Sequence, residues 1–207
     1  MSAEPLTILD VGKDEENAIR AAVRCADVTL LGSGYRIASA SDVRGLIALL
    51  SDPVVSDPIY DLPRPFTVSV IGAWVKQAQA RQESGEAVLA VMSDDGGDIS
   101  GYSYFTVWPD RSAAEIAGAH RADTQNKGVG KAGAARSFGW MFDHLGVRLI
   151  GVTAALDNQR SARVIEAAGF VDLGERESRK PDGSIRRSRY WEMSRELWQT
   201  IHDKSDD

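Results

Sequence analysis

Cysteine is almost missing from this chain: one residue, Cys25, among 207. An intramolecular disulfide is therefore excluded, and the usage fits a reducing cytoplasm. Cys25 lies in ENAIRAAVRCADV, where it reads as a small apolar helix residue rather than a nucleophile. Histidine is nearly as scarce. His120, His144 and His202 show neither i,i+4 spacing nor cysteine pairing, so no metal site is expected. Long apolar runs are lacking too: stretches such as GLIALL at 45–50 are far short of a membrane span. The first residues, MSAEPLTILDVGKDEEN, have no basic segment followed by an apolar one, so no secretory signal is expected. Positive charge is not in excess; the net charge of −6 argues against general nucleic-acid binding. No repeat or low-complexity segment is present. What remains, 43% hydrophobic and 26% charged, is the composition of an ordinary globular protein with one sizeable core. No nucleic-acid or membrane partner is expected, and a homodimer is compatible with this composition.

Residues 14–28 predict a helix with acids in its first turn, where the helix dipole favours them. A short strand follows at 35–40, and Ser41-Asp42 cap a helix whose apolar side is Val43, Leu46, Ile47 and Leu50. Prolines at 53, 58, 63 and 65 then impose an extended, stiff loop. Thr67 caps a second helix running to residue 83. The chemistry changes after Gly85: EAVLAVMS, the DDGG turn at 94–97 and DISGYSYFTVW form a β-hairpin. Residues 112–122 suit a further strand only weakly, since alanine and glycine are poor strand formers. A helix over about 130–145 follows, packing through Ala135, Phe138, Phe142 and Leu145, with Gly146 just beyond its end. VRLIGVTAAL at 147–156 looks like a buried parallel strand. A short helix ends at Gly169, and 171–179 and 185–193 close the chain as a hairpin around the PDGS turn. The order predicts an α/β (α+β) fold: a mixed sheet with helices on both faces.

DTQNKGVGKAGAARSF, residues 123–138, carries the functional question. Its glycines at 128, 130 and 133 fit G-x-G-x-x-G, the dinucleotide fingerprint, and Asp157 stands near where a ribose-binding acid would. Against an NAD-binding oxidoreductase, RADTQNK separates the preceding strand from Gly128. About 80 residues follow the loop, too few to wind the rest of such a sheet, and they read as one helix and a hairpin. The same stretch also fits Q-x-x-G-x-G, from Gln125 through Gly128 to Gly130.

Gln125-Asn126-Lys127-Gly128-Val129-Gly130-Lys131 is followed, 28 residues after Gly130, by Asn158 and NQRSARVIEAAGF. This pair of motifs resembles the GNAT superfamily of acetyl-coenzyme A-dependent N-acetyltransferases. N-x-x-S-x-R-V-x-E-x-x-G-F, with A-E-I at 114–116, is most similar to the ribosomal-protein N-terminal acetyltransferase branch. The resemblance spans about 33–197, leaving 1–32 as an N-terminal helical arm of unassigned role and 198–207 as a tail. It implies a mostly antiparallel twisted sheet with one splayed parallel pair, and acetyl-CoA as cosubstrate. Glycines at 128 and 130 suit close approach of backbone to a diphosphate, with amides of about 126–131 aimed from a helix N-terminus. Lys127 and Lys131 add charge. By the resemblance, the pantetheine arm would bond to backbone near Ala119, His120 and Arg121 and to Asn158, which could equally be a helix N-cap.

Acetylating an amine requires a proton acceptor, and a thiol leaving group gains modestly from a proton donor. The resemblance places Glu115 as base and Ser161 as donor; a structurally paired glutamate and a first-turn helix hydroxyl are the plain alternatives. Glu175 and Glu177 are further candidate bases. Many relatives carry a tyrosine where this chain has Ile165, which leaves room for a non-catalytic acyl-CoA binding module. The acceptor would meet the proline loop, where Asp57, Tyr60 and Asp61 could hold an ammonium group. It would also meet the closing hairpin, whose Arg176, Arg179, Lys180, Arg186, Arg187 and Arg189 form either an anion-binding patch or a solvated face. The acceptor is a primary amine, either a protein N-terminus or a small molecule.

Overall fold

The computed structural model describes residues 4–59, 61–124, 129–179 and 184–203. The first helix, α1 (Lys13–Arg24), carries Asp14, Glu15 and Glu16 in its first turn. It stops earlier than the predicted residue 28, because Asp27 turns its carboxylate forward onto the Thr29 amide and caps a 3-10 turn at Val28–Leu31. Strand β1 (Tyr35–Ile37) is likewise shorter than predicted. Asp42 reaches back to the Ser39 amide at 2.7 Å and binds Arg36 through both oxygens, turning the chain into α2 (Val43–Leu50). Within the proline loop, Asp52 caps one short helix, α3 (Pro53–Ser56). Thr67 then accepts from the Val70 amide at the start of α4 (Val68–Glu83).

The hairpin of β2 (Ala87–Ser93) and β3 (Ile99–Trp108) leads into β4 (Ala113–His120). The weak strand signal is thus realised, because β4 is central: β3 holds one edge along its whole length, and small side chains fit beneath the helices. Helix α5 (Val129–Asp143), β5 (Leu149–Ala155), α6 (Gln159–Ala167), β6 (Val171–Arg179), β7 (Ile185–Ser194) and α7 (Arg195–Asp203) complete the chain. The seven strands form one sheet in the order β1-β2-β3-β4-β5-β7-β6. Every described pairing is antiparallel except β4 with β5, as the resemblance implied.

One face of the sheet carries the larger core. Phe105, Ile150, Val152, Trp191 and Met193 meet Phe138, Met141, Phe142 and Leu145 of α5, with Ala135 packed alongside. Ile19 and Val23 of α1 join this core. Trp198 of α7 packs its ring 6.2 Å from Phe138 and 5.8 Å from Phe142. On the other face α2 and α4 cover Leu89, Val91 and Tyr102 with Leu46, Leu50, Ile71 and Val75. Among the described residues no helix is long and apolar enough to cross a membrane.

Asp42 is 4% exposed, and its bonds to Arg36, opposed by burial and aided by the Ser39 bonds, leave its carboxyl below the ordinary 3.8. A depressed folded pKa means this stabilisation is complete above the unfolded value and fades as pH falls through the folded one. Asp42→Asn should lower unfolding free energy by about 1–2 kcal/mol at pH 7. Urea titrations from pH 7 down to pH 3 should show that gap narrowing on the acid side.

Candidate active site

The β4–β5 ladder is short. Its parallel rungs are Ala113–Leu149, Ala114–Ile150 and Glu115–Gly151. Beyond them β4 continues to His120 against β3, and β5 continues to Ala155 against β7. Among the described residues no rung joins 116–120 to 152–155, so the two strands open into a V whose vertex is Glu115. The direction of the β4 amides follows from one bond: the Arg121 amide donates to Ser100 at 2.8 Å. Antiparallel neighbours alternate between bonding the partner and facing away. Ala119 and Arg121 therefore address β3, whereas Gly118 and His120 turn backbone groups into the V. Of the three backbone positions expected to meet pantetheine, His120 is the one aimed at the opening. A strand-like ligand laid between the separated edges would meet peptide groups of this kind.

Glu115 is 8% exposed and accepts from the Thr153 hydroxyl at 3.4 Å. Its rung partner is glycine for a steric reason. A Cβ on Gly151 would lie 2.5 Å from the Tyr190 hydroxyl, so only a bare backbone lets that ring cross β5 beside Glu115. On the far arm of the V, Asn158 accepts from the Ser161 amide at 3.1 Å, the bond of a helix N-cap. Ser161 is half-buried one turn in. Ile165, on the same side of α6, is buried in the larger core. His120 folds its ring over its β3 partner, its Nδ1 filling the space a Cβ on Gly101 would need. Burial, and then the charge of Arg160 from the opposite arm, lower its pKa, favouring a neutral ring. Val129, Gly130 and Lys131 begin α5, while Gln125, Asn126, Lys127 and Gly128 lie outside the described residues.

This geometry coincides with a sequence match: the family model for the acetyltransferase (GNAT) domain covers residues 35–171. The chain belongs to the GNAT family. No curated protein matches it in sequence. Solved structures share its fold. Ribosomal-protein-S5-alanine acetyltransferase from Vibrio fischeri is 18% identical with a TM-score of 0.67, over 81% of this chain and 96% of that one. RimJ of Mycobacterium smegmatis, solved with CoA-disulfide, is 16% identical with a TM-score of 0.66, over 78% and 81%. Spermidine N-acetyltransferase SpeG from Vibrio cholerae is 15% identical with a TM-score of 0.65, over 81% and 98%. The protein is accordingly an acetyltransferase that uses acetyl-CoA.

In the proline loop of this GNAT domain, α3 packs against β4. Asp57 is exposed and Asp61 half-buried, while Tyr60 lies outside the described residues. Burial, and secondarily Asp61, raise the Tyr102 pKa, which sets that carboxylate near the sheet. Sequence reasoning missed the aromatic wall beside it. Trp74 of α4 meets Tyr102 edge-on at 5.6 Å and Tyr104 at 6.0 Å. The signal was present, since Tyr102 and Tyr104 are two apart on a strand and so share a face. Glu175 and Glu177 stand on the edge strand β6, three strands from β4, and Glu175 is paired with Arg187. On the basic hairpin Arg189 pairs with Asp172, and Arg176 lies over the Tyr190 ring at 4.6 Å; the side chains of Arg179, Lys180 and Arg186 lie outside the described residues.

The two readings of Asn158 separate experimentally. Asn158→Ala should cost about 1 kcal/mol through the lost cap. Asn158→Ser should restore thermal stability. A KM for acetyl-CoA that stays raised in the serine variant assigns the side chain to the cosubstrate; full recovery assigns it to the helix alone.

Proposed function

We propose that this protein transfers the acetyl group of acetyl-CoA to a primary amine by direct attack, with Glu115 as proton acceptor. The observation that carries the reading is the ending of the β4–β5 ladder at Glu115. It sets a buried carboxylate where two strands part and expose backbone to a third chain.

The residues present fit the cosubstrate. The backbone of Gly118 and His120 and the Asn158 side chain border the opening, and α5 begins just beyond it, where a helix N-terminus suits phosphate. Acetyl-CoA, when bound, supplies an acyl carbon on a good sulfur leaving group. Glu115 takes the proton from the attacking ammonium group, directly or through one water, and so frees the nitrogen lone pair. The N–C bond then forms as the C–S bond breaks, and the second proton that the nitrogen sheds on becoming an amide ends on the departing thiolate. Ser161 donates a proton toward the departing sulfur. This contribution is small, since a thiol with an ordinary pKa of about 8.5 leaves readily as thiolate. Asp57 and Asp61 supply negative charge to hold an ammonium group, and Trp74 and Tyr104 offer aromatic faces that attract a cation. The acceptor classes named for structural neighbours, a ribosomal-protein alanine and spermidine, are both amines. A protein N-terminus and a small polyamine are therefore the first acceptors to try, in a cytoplasmic setting.

Acetyl-CoA should raise the melting temperature in a concentration-dependent way while NAD leaves it unchanged. Glu115→Gln should reduce turnover by about 10²–10⁴-fold with little change in acetyl-CoA affinity. Raising the pH should recover part of that loss, because more acceptor is then neutral without help. Wild-type turnover by the glutamine variant at neutral pH would place the base elsewhere. Absence of thiol release with every amine would instead favour a binding module.

A further inference from the structure

The two faces of the sheet are not covered alike. On the face that carries Glu115, α2 and α4 reach only across β1 to β3 and the edge of β4. Over β7 the cover is residues 4–10, which lie ahead of the family match at residue 35. This segment is held by polar anchors. Glu192 of β7, 5% exposed, accepts from the Leu6 amide at 2.6 Å, the Thr7 amide at 3.2 Å and the Thr7 hydroxyl at 2.5 Å. A fourth donor to the same carboxylate is the Tyr190 hydroxyl at 2.8 Å. Burial, and then the Glu192 bond, raise the Tyr190 pKa, so this group stays a donor. Arg176 bonds the Glu4 carbonyl at 2.9 Å and Arg148 the Asp10 carbonyl at 2.5 Å, anchoring both ends. Beneath the segment, a cleft of about 240 Å³ lined by Thr7, Leu9, Arg148, Leu173, Glu192 and Ser194 separates it from β6 and β7. It is a bridge standing on its anchors rather than a packed strand.

The anchor lies close to the chemistry. Glu115, Gly151 and Glu192 occupy one row across β4, β5 and β7. Two strand spacings of about 4.8 Å put the carboxylate that holds the bridge about 10 Å from the candidate base. Tyr190 fills the interval, pairing with Thr153, whose hydroxyl bonds Glu115. The strip bearing Glu115, Ala117 and Thr153 therefore runs between two covers: the α2–α4 layer on one side and residues 4–10 on the other.

We infer that residues 4–10 are the second wall of the acceptor cleft, and that Glu192 is the positioning residue that fixes this wall and limits acceptor size. The inference rests on the transferase reading for its substrate and on the geometry alone for the wall, and the two are tested separately. In a Cys25→Ser background, Ala117→Cys places a thiol on the strip. N-ethylmaleimide should label it readily and a fluorescein maleimide slowly. Glu192→Gln, the milder Thr7→Ala, and deletion of residues 1–10 should each speed the bulky label by about tenfold and leave the small one unchanged. That is the scale of a one-group change in a fitted pocket. Without the cysteine, the same variants should raise kcat/KM for bulky over small amines by a similar factor, with KM for acetyl-CoA unaltered. Folded variants that leave both the labelling ratio and the amine ratio at wild-type values overturn the wall. Faster bulky labelling in a protein that turns over no amine supports the wall and overturns the transferase reading.

Discussion

The whole site depends on where one parallel ladder stops. Parallel strands normally continue as long as their edges can meet, yet β4 and β5 exchange only three rungs before each stays with its other neighbour. The antiparallel partners decide this, since β3 holds β4 to its end and β7 holds β5 to its end. Their diverging directions draw the two strands apart. A buried glutamate at the vertex and exposed backbone along both arms then arise from one event.

The vertex is crowded in a way that demands particular residues. Gly151 has no side chain because the Tyr190 ring lies over it, and Tyr190 is held there by the hydrogen bond its hydroxyl donates to Glu192. Glu192 in turn holds the N-terminal segment. Packing and polar satisfaction are coupled here, since a buried carboxylate is tolerated only with its donors in place. The N-terminal residues thus meet the sheet through the same group that shapes the surroundings of Glu115.

Much of this architecture was legible from residue order. The two hairpins, the helix after the glycine loop and its packing face through Phe138, Phe142 and Leu145 follow from turn chemistry and periodicity. Where local reading overshot, a side chain bonded forward or back: Asp27 ended α1 early and Asp42 shortened β1. Such bonds depend on turn geometry that residue type alone does not specify. The aromatic wall of Trp74, Tyr102 and Tyr104 escaped because its members come from elements about 30 residues apart.

What the sequence determined by itself was therefore local and chemical: a glycine-rich start to α5, an Asn158–Ser161 helix start, and a glutamate on an alanine-rich strand. Those depend on residues within one turn or one strand of each other. Which glutamate stands at the vertex was decided only in three dimensions. Glu115, Glu175 and Glu177 are alike as residues, and strand order sends the last two to the far edge of the sheet. The same holds for the basic hairpin, where Arg187 and Arg189 meet cross-strand acids, and for residues 4–10, whose contact lies some 185 positions along the chain. Sheet register brings distant residues into one row, and no pattern of neighbours in sequence records it.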